Sequence, residues 1–246
     1  MRERMANSYF QFKQFTVNQD QCAMKVCTDS CIFGAWLNQQ LNDSYGIVNK
    51  VIDIGAGTGL LSLMLAQDHK EIVIDAVEIE EAAFLQAKNN ISKSPFSNQI
   101  KIIHTSLQSF VPSYKYDLII SNPPFYANDL KSPTEIKNAA KHDSTLTLTQ
   151  LLDFMQRQLT ENGTGALLLP YHRLIEAKIL IEEAGLFLQK LVSIKQTPNH
   201  DFFRCIIMFS RKEKNEIEAQ QFSIKNEKNA YSEECIELLQ PFYLHM

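Results

Sequence analysis

VIDIGAGTGLLS, residues 51–62, opens as an apolar β-prone run, breaks at glycines and resumes as a helical pattern. Strand, glycine turn and helix make the first half of a unit whose two strands lie parallel. Working outward, β-prone apolar runs recur at Ile72–Val77, Ile100–His104, Tyr116–Ser121, Ala166–Leu169, Leu188–Ile194 and Cys205–Ser210. Helical patterns, Leu60–Gln67 and Glu80–Ile91, lie between the early ones. Alternation of this kind predicts a parallel sheet covered by helices on both faces. The last two runs are joined by QTPNHDFF, a Pro/Asn turn too short for a helix, so they should pair antiparallel. The expected fold is α/β: a doubly wound, mostly parallel, seven-stranded sheet with an antiparallel final hairpin. Before Val51, a short extended piece should lead into a helix capped by Thr28 or Asp29. After Ser210 comes the charged stretch RKEKNEIEAQ, then a terminal helix from Ser232.

The composition excludes several classes. With 246 residues, 45% hydrophobic and 21% charged, the chain can bury a full core and is not a disordered or low-complexity sequence. No apolar run reaches the roughly 20 residues that a membrane helix needs. The start, MRERMANSYF, has arginines but no apolar stretch after them, so it does not read as a secretory signal. Cytoplasmic residence and no membrane partner are expected. Cys22, Cys27 and Cys31 are spaced unlike the paired C-x-x-C of a zinc site, so no metal is expected. Free cysteine of this kind usually packs as a small apolar side chain.

The loop Gly55-Ala56-Gly57-Thr58-Gly59-Leu60 lets a ligand lie against bare backbone at the strand end. A dinucleotide fingerprint would need a third glycine where Leu60 stands, which argues against a nicotinamide cofactor. Asp53 adds negative charge before the loop, unfavourable for phosphates and useful beside a cation. S-adenosyl-L-methionine carries a sulfonium and an amino group and suits this loop. Glu78 ends the following strand, where an acid reaches ribose hydroxyls.

SNPPFY, residues 121–126, follows another apolar strand. An NH2 group on a base is a poor nucleophile because its lone pair is delocalised into the ring. Two acceptors can draw its hydrogens out of plane: the amide oxygen of Asn122 and the carbonyl of Pro123. Pro123 and Pro124 restrict φ and hold that carbonyl outward. Phe125 offers a ring for stacking on the base.

These blocks resemble class I S-adenosylmethionine-dependent methyltransferases with an NPPY/F motif, whose fold is Rossmann-like. More closely, the chain is similar to the bacterial tRNA1(Val) adenine-37 N6-methyltransferase family. FKQFTVNQDQCAMKV from Phe12 and TDSCIFGAW from Thr28 look like that family's opening signature, and YSEECIELLQPFYLHM from Tyr231 like its C-terminus. VIDIGAGTGLLSLMLAQ, IDAVEIEEAA and DLIISNPPF match its cofactor and catalytic motifs. The resemblance implies a tRNA adenine N6-methyltransferase. Asp53, Gly55, Gly57 and Gly59 would line the methionine end of the cofactor and Glu78 would take the ribose. Asn122 to Phe125 would hold the adenine. Residues 1–246 would form one methyltransferase domain, with Thr28 and Asp29 in an N-terminal segment, residues 1–45, that covers the cofactor. An acidic residue is common where this chain has Ser106, which could accept the cofactor's adenine amine more weakly. Phe125 stands where adenine-specific relatives commonly carry tyrosine, and guanine N2-methylating relatives also use phenylalanine.

The expected partner is tRNA, with no obligate protein partner. A net charge of −4 requires any RNA surface to be a local patch. Lys131, Lys137, Lys141 and His142 after the catalytic loop are one candidate group. Lys195, Arg204, Arg211, Lys212 and Lys214 around the final hairpin are the other. Guanine N2 in RNA, adenine in DNA and a protein glutamine stay open as acceptors. Glutamine enzymes usually carry a larger helical domain before the glycine loop, and the stretch here is too short for one. A non-catalytic nucleotide-binding module is disfavoured by the intact NPPF.

Overall fold

All seven apolar runs become strands of one sheet, and an eighth joins them at the edge. The computed structural model describes residues 7–21, 25–43, 48–123 and 146–246. A small antiparallel pair, β1 (Tyr9–Gln11) and β2 (Thr16–Asn18), precedes α1 (Thr28–Asp43). Then follow β3 (Lys50–Ile54), α2 (Leu60–Asp68), β4 (Val73–Glu78), α3 (Glu81–Ser92), β5 (Ile100–His104) and β6 (Tyr116–Ser121). After them come α4 (Leu148–Gln158), β7 (Leu159–Pro170), a 3-10 turn at Tyr171–Arg173 and α5 (Leu174–Glu183). The chain closes with β8 (Phe187–Lys195), β9 (Phe202–Ser210), β10 (Glu218–Ser223) and α6 (Glu233–Leu239). The sheet order is β10-β8-β9-β7-β6-β3-β4-β5. β9 runs antiparallel to both β7 and β8, and the other pairings are parallel.

Two expectations need correction. The sheet has eight strands rather than seven, because β10 lies beside β8. Its sequence, EAQQFS, buries only Phe222, so it carries no apolar pattern and is held by backbone pairing at an edge. The helix α1 begins at Thr28 itself, with Asp29 inside its first turn, one residue earlier than a cap at Thr28 implies and two earlier than a cap at Asp29.

Alternation along the central strands builds two cores. Val51, Leu118, Ile120, Ala166, Leu168, Ile206 and Met208 face one cluster with α1, α2 and α6. Ile52, Ile119, Leu167, Leu169, Ile207 and Phe209 face the other, with α4 and α5. Strands buried on both faces read as continuous apolar runs, which is why they were legible. α2 lies between the sheet and α1, and its residues Leu60 to Gln67 are all buried.

The two terminal blocks meet on the first of these faces. Phe12 and Phe15 stack at 4.6 Å between ring centroids, and Phe10 lies 5.2 Å from Tyr243. Lys13 N donates to Phe242 O at 2.8 Å. The expected terminal helix begins one residue later, at Glu233, with Ser232 as its cap, its hydroxyl accepting from Cys235 N at 3.1 Å.

The winding reverses between β3 and β6. From β3 the chain steps outward through β4 to β5, then returns to place β6 on the other side of β3. The switch point therefore lies at the C-terminal ends of β3 and β6, and the crevice outside such ends is where open α/β sheets bind ligands.

Gly165 of β7 sits opposite Phe209 of β9, and a Cβ there would overlap the Phe209 ring. Gly165→Ala should destabilise the fold by about 1–3 kcal/mol through overpacking. The denaturation midpoint checks this, and Phe209→Leu in the same chain should restore part of the loss. An unshifted midpoint for Gly165→Ala would show that the ring has room to move.

Candidate active site

The glycine loop after β3 is held by the end of the neighbouring strand. Gly55 N and Ala56 N donate to Val77 O at 2.8 and 3.1 Å, which ties the glycine loop to the end of β4. Gly55 and Gly57 have φ of 73° and 57°, a region costly for other residues, and nothing lies within 4 Å of where a Cβ would stand. Gly59 ends the loop, its carbonyl accepting from Leu63 N at 2.9 Å in the first turn of α2.

Glu78 braces this loop. Its carboxylate accepts from Gly57 N at 2.7 Å and from Glu80 N at 2.9 Å. Ile79, the next residue, leaves an apolar side chain 43% exposed beside it.

Asp53 lies under the loop with no exposed surface. One carboxylate oxygen accepts from Ser62 Oγ at 2.7 Å, and the other, Oδ1, has no partner among the described residues. Burial pushes this carboxyl up to about 6; the Ser62 hydrogen bonds pull it down, and the nearby Glu78 adds a smaller upward push. A buried carboxylate with one unsatisfied oxygen, next to open bare backbone, suits a cationic ligand.

Ser121 donates from Oγ to Ile54 O at 2.7 Å, joining the ends of β6 and β3. Asn122 follows, half-buried, and Pro123 is buried. The side-chain nitrogen of Asn122 donates to Ser30 Oγ at 2.9 Å, which leaves the amide oxygen as the group available to accept. Pro124 and Phe125 lie outside the described residues, as do Lys131, Lys137, Lys141, His142 and Cys22.

Thr28 and Asp29 stand at the start of α1, just before Ser30, which meets Asn122. Asp29 is largely buried; its carboxylate accepts from Ser30 N at 3.0 Å and from Arg204 Nε at 2.7 Å. Ser106 is turned to its own loop, donating to Ser109 Oγ at 3.0 Å and accepting from Ser109 N at 3.2 Å. Cys31 is fully buried, and burial pushes its thiol up to about 12, as suits a packing residue.

Three site-building residues were missed by sequence reasoning: Ser30, Arg204 as the partner of Asp29, and Asn90. Asn90, on α3 and 1% exposed, accepts from Asn18 N at 2.9 Å. Its amide nitrogen donates to Asn18 O and to Thr58 O, each at 3.0 Å. One side chain thus fastens the N-terminal strand pair and the glycine loop together. A polar residue amid the helical pattern Glu80–Ile91 was the available signal.

The basic residues after β9 lie far from this crevice. By register Asn122 stands level with Ile206 of β9, and the strand runs on four residues to Ser210, which puts Arg211 roughly 20 Å from Asn122. Arg211 donates to Gln156 O and Lys214 pairs with Glu218 at the opposite edge.

Comparison with known proteins agrees with this architecture. The methyltransferase small domain family model matches residues 33–164. A tRNA1(Val) (adenine(37)-N6)-methyltransferase of Dyadobacter fermentans is 40% identical over 97% of this chain and 98% of its own length. A protein of the same name from Parabacteroides distasonis is 38% identical over 98% of this chain and 100% of its own. Among solved structures, a predicted O-methyltransferase from Agrobacterium tumefaciens superposes with a TM-score of 0.60. It covers 84% of this chain and 95% of its own at 14% identity, a likeness of fold.

Asn90→Ala should release the N-terminal strand pair. Four hydrogen bonds of its side chain are lost, one buried and three part-buried, so local opening should become easier by about 1–3 kcal/mol. Hydrogen exchange at the Asn18 amide reads this directly, while the amides of β3 and β4 should keep their protection. Unchanged exchange at Asn18 would show that the strand pair is held by its other contacts.

Proposed function

The chain belongs to the family of tRNA1(Val) (adenine(37)-N6)-methyltransferases, and we propose that it methylates N6 of adenine 37 beside the anticodon of a valine tRNA. It is an S-adenosylmethionine-dependent methyltransferase. No helix among the described residues is long and apolar enough to cross a membrane. A tRNA substrate makes the cytoplasm the expected place of reaction.

The observation that carries the reading is the Asn122 amide, anchored through its nitrogen to Ser30 with its oxygen left to accept. In this role the oxygen takes one hydrogen of the adenine NH2 and the Pro123 carbonyl takes the other. Drawing both out of the ring plane frees the nitrogen lone pair, and these interactions are strongest in the transition state. When bound, S-adenosylmethionine supplies an electrophilic methyl group on a cationic sulfur. Asp53, Gly55, Gly57 and Gly59 would hold its methionine end and Glu78 its ribose hydroxyls. Ile79 would cover its adenine face. Once the acceptor nitrogen is methylated it is acidic, so its proton leaves without a strong base. Pro124 and Phe125 complete the acceptor loop in this reading. Residues 1–246 act as one domain in this reading, and the N-terminal segment, residues 1–45, with Thr28 and Asp29, covers the cofactor. Ser106 serves the adenine end of the cofactor by closing its turn.

Incubation with labelled cofactor and unmodified total tRNA, followed by nucleoside analysis, tests the assignment. N6-methyladenosine is expected; N2-methylguanosine would overturn the choice of base. Asn122→Ala should lower kcat by more than tenfold, over about 1.4 kcal/mol, with cofactor affinity unchanged. Ser30→Ala should lower kcat about three- to tenfold by freeing the amide to rotate. Full activity in Ser30→Ala would remove that serine from the mechanism.

Cofactor binding should depend on pH through Asp53. Its carboxyl titrates near 6 in the fold against an ordinary 3.8, so ionisation there costs the free protein stability as pH rises across that window. A bound cation favours the ionised form. Cofactor affinity should therefore strengthen up to about tenfold between pH 5 and pH 7, then level off. Calorimetric titration measures this, and Asp53→Asn should bind more weakly with a flat profile. A flat profile in the unaltered protein would sink the assignment of Asp53.

A further inference from the structure

β7, β8 and β10 all run parallel to β6, so their C-terminal ends share the edge that carries Asn122. β9 starts at that edge, with Arg204 paired to Pro170 and Phe202 to Lys195. Beyond β10, Ile224 N donates to Lys195 O and Lys225 N to Gln196 O, each at 3.0 Å. Lys225 and the exposed Lys228 are thereby fixed beside the hairpin tip. Strands stand about 4.8 Å apart and rise about 3.3 Å per residue, and by register Arg204, Lys195 and Lys225 lie successively further past the level of Asn122, so the row runs from it at a slant through Arg204 at roughly 12 Å, Lys195 at roughly 17 Å and Lys225 at roughly 25 Å.

Aromatic rings accompany these cations. Lys195 Nζ stands 4.5 Å from the centroid of the Phe202 ring, which lies 4.9 Å from the Tyr171 ring. Phe203 is 38% exposed at the same strand start. Of the carboxylates nearby, Asp29 is held by Arg204 and Glu176 by Arg173, while Asp201 and Glu227 are exposed. The opposite edge carries Glu213, Glu216 and Glu218 together with Arg211, Lys212 and Lys214.

We propose that this edge, from the 3-10 turn across the β8–β9 hairpin to Lys225 and Lys228, is the track that holds the unpaired RNA flanking the target base. The inference rests on the reading of the chain as a tRNA methyltransferase. Unpaired RNA is recognised by cations that follow its phosphates and by rings that take its bases, and the edge supplies both in line with Asn122. Lys195, Lys225 and Lys228 take phosphates. Phe203 takes a base beside the flipped one.

The test is direct binding of an unmodified tRNA transcript to the full chain across a salt series, with cofactor binding measured in parallel. Lys195→Ala/Lys225→Ala/Lys228→Ala should bind RNA about tenfold more weakly. Its slope of log affinity against log salt should be shallower by about two. Phe203→Ala should weaken binding several-fold with the slope unchanged. Cofactor affinity should stay at the unaltered level in both. Arg211→Ala/Lys212→Ala, at the far edge, should bind RNA normally. Normal RNA binding by the triple variant, or the loss appearing in the far-edge pair instead, would overturn the track. Binding is read without methyl transfer. A chain that binds tRNA through these lysines but forms no N6-methyladenosine would refute the assigned reaction and leave the track standing.

Discussion

The pairing of β3 with β6 is the constraint on which the rest depends. It puts Ile54 opposite Ser121, and the Ser121 hydroxyl closes the pair at 2.7 Å. Gly55 and Asn122, the residues that follow the two strands, therefore start about one strand spacing apart on a buried parallel ladder. A donor on one loop and an acceptor on the other are brought together by sheet geometry alone. Such preorganisation lowers the entropy cost of bringing two reactants into line.

Around that fixed pair the protein adds a second layer from distant parts of the chain. The N-terminal strand pair, α1 and the C-terminal helix share one face of the sheet, joined by the Phe10, Phe12, Phe15 and Tyr243 rings. Their task is to present a few polar groups. Ser30 reaches Asn122, Asp29 reaches Arg204, and Asn18 reaches Asn90. Of the two terminal blocks, the N-terminal one reaches the crevice through Ser30, while the C-terminal one packs at the far end of α2, where Pro241 O accepts from Gln67.

What could be read from the sequence follows from how each feature is stabilised. The central strands were legible because both faces are buried, and Glu78 because its strand ends where the loop begins. β10 was not, since backbone pairing at an edge leaves no apolar signature. The contact of Ser30 with Asn122 spans 92 residues and that of Asp29 with Arg204 spans 175, so no local spacing announces either. The basic residues around the last hairpin looked like one group in sequence. Strand direction separates them, because Lys195 and Arg204 stand at the crevice edge while Arg211, Lys212 and Lys214 stand at the far one. For Ser106, only the turn geometry reveals that its hydroxyl is already engaged with Ser109.

The ion pair between Arg204 and Asp29 gives the hairpin a mechanical connection to the acceptor amide. Arg204 belongs to the strand that leaves the hairpin, Asp29 bonds the backbone of Ser30, and Ser30 holds Asn122. A displacement of the hairpin is thus also a displacement of the group that sets the amide's orientation. Two positions of the hairpin that differ in free energy imply two amide orientations that differ by a share of it, and this linkage is reciprocal. Whatever occupies the crevice and aligns the amide must in turn steady the hairpin, so occupancy at one end is communicated to the other through three side chains.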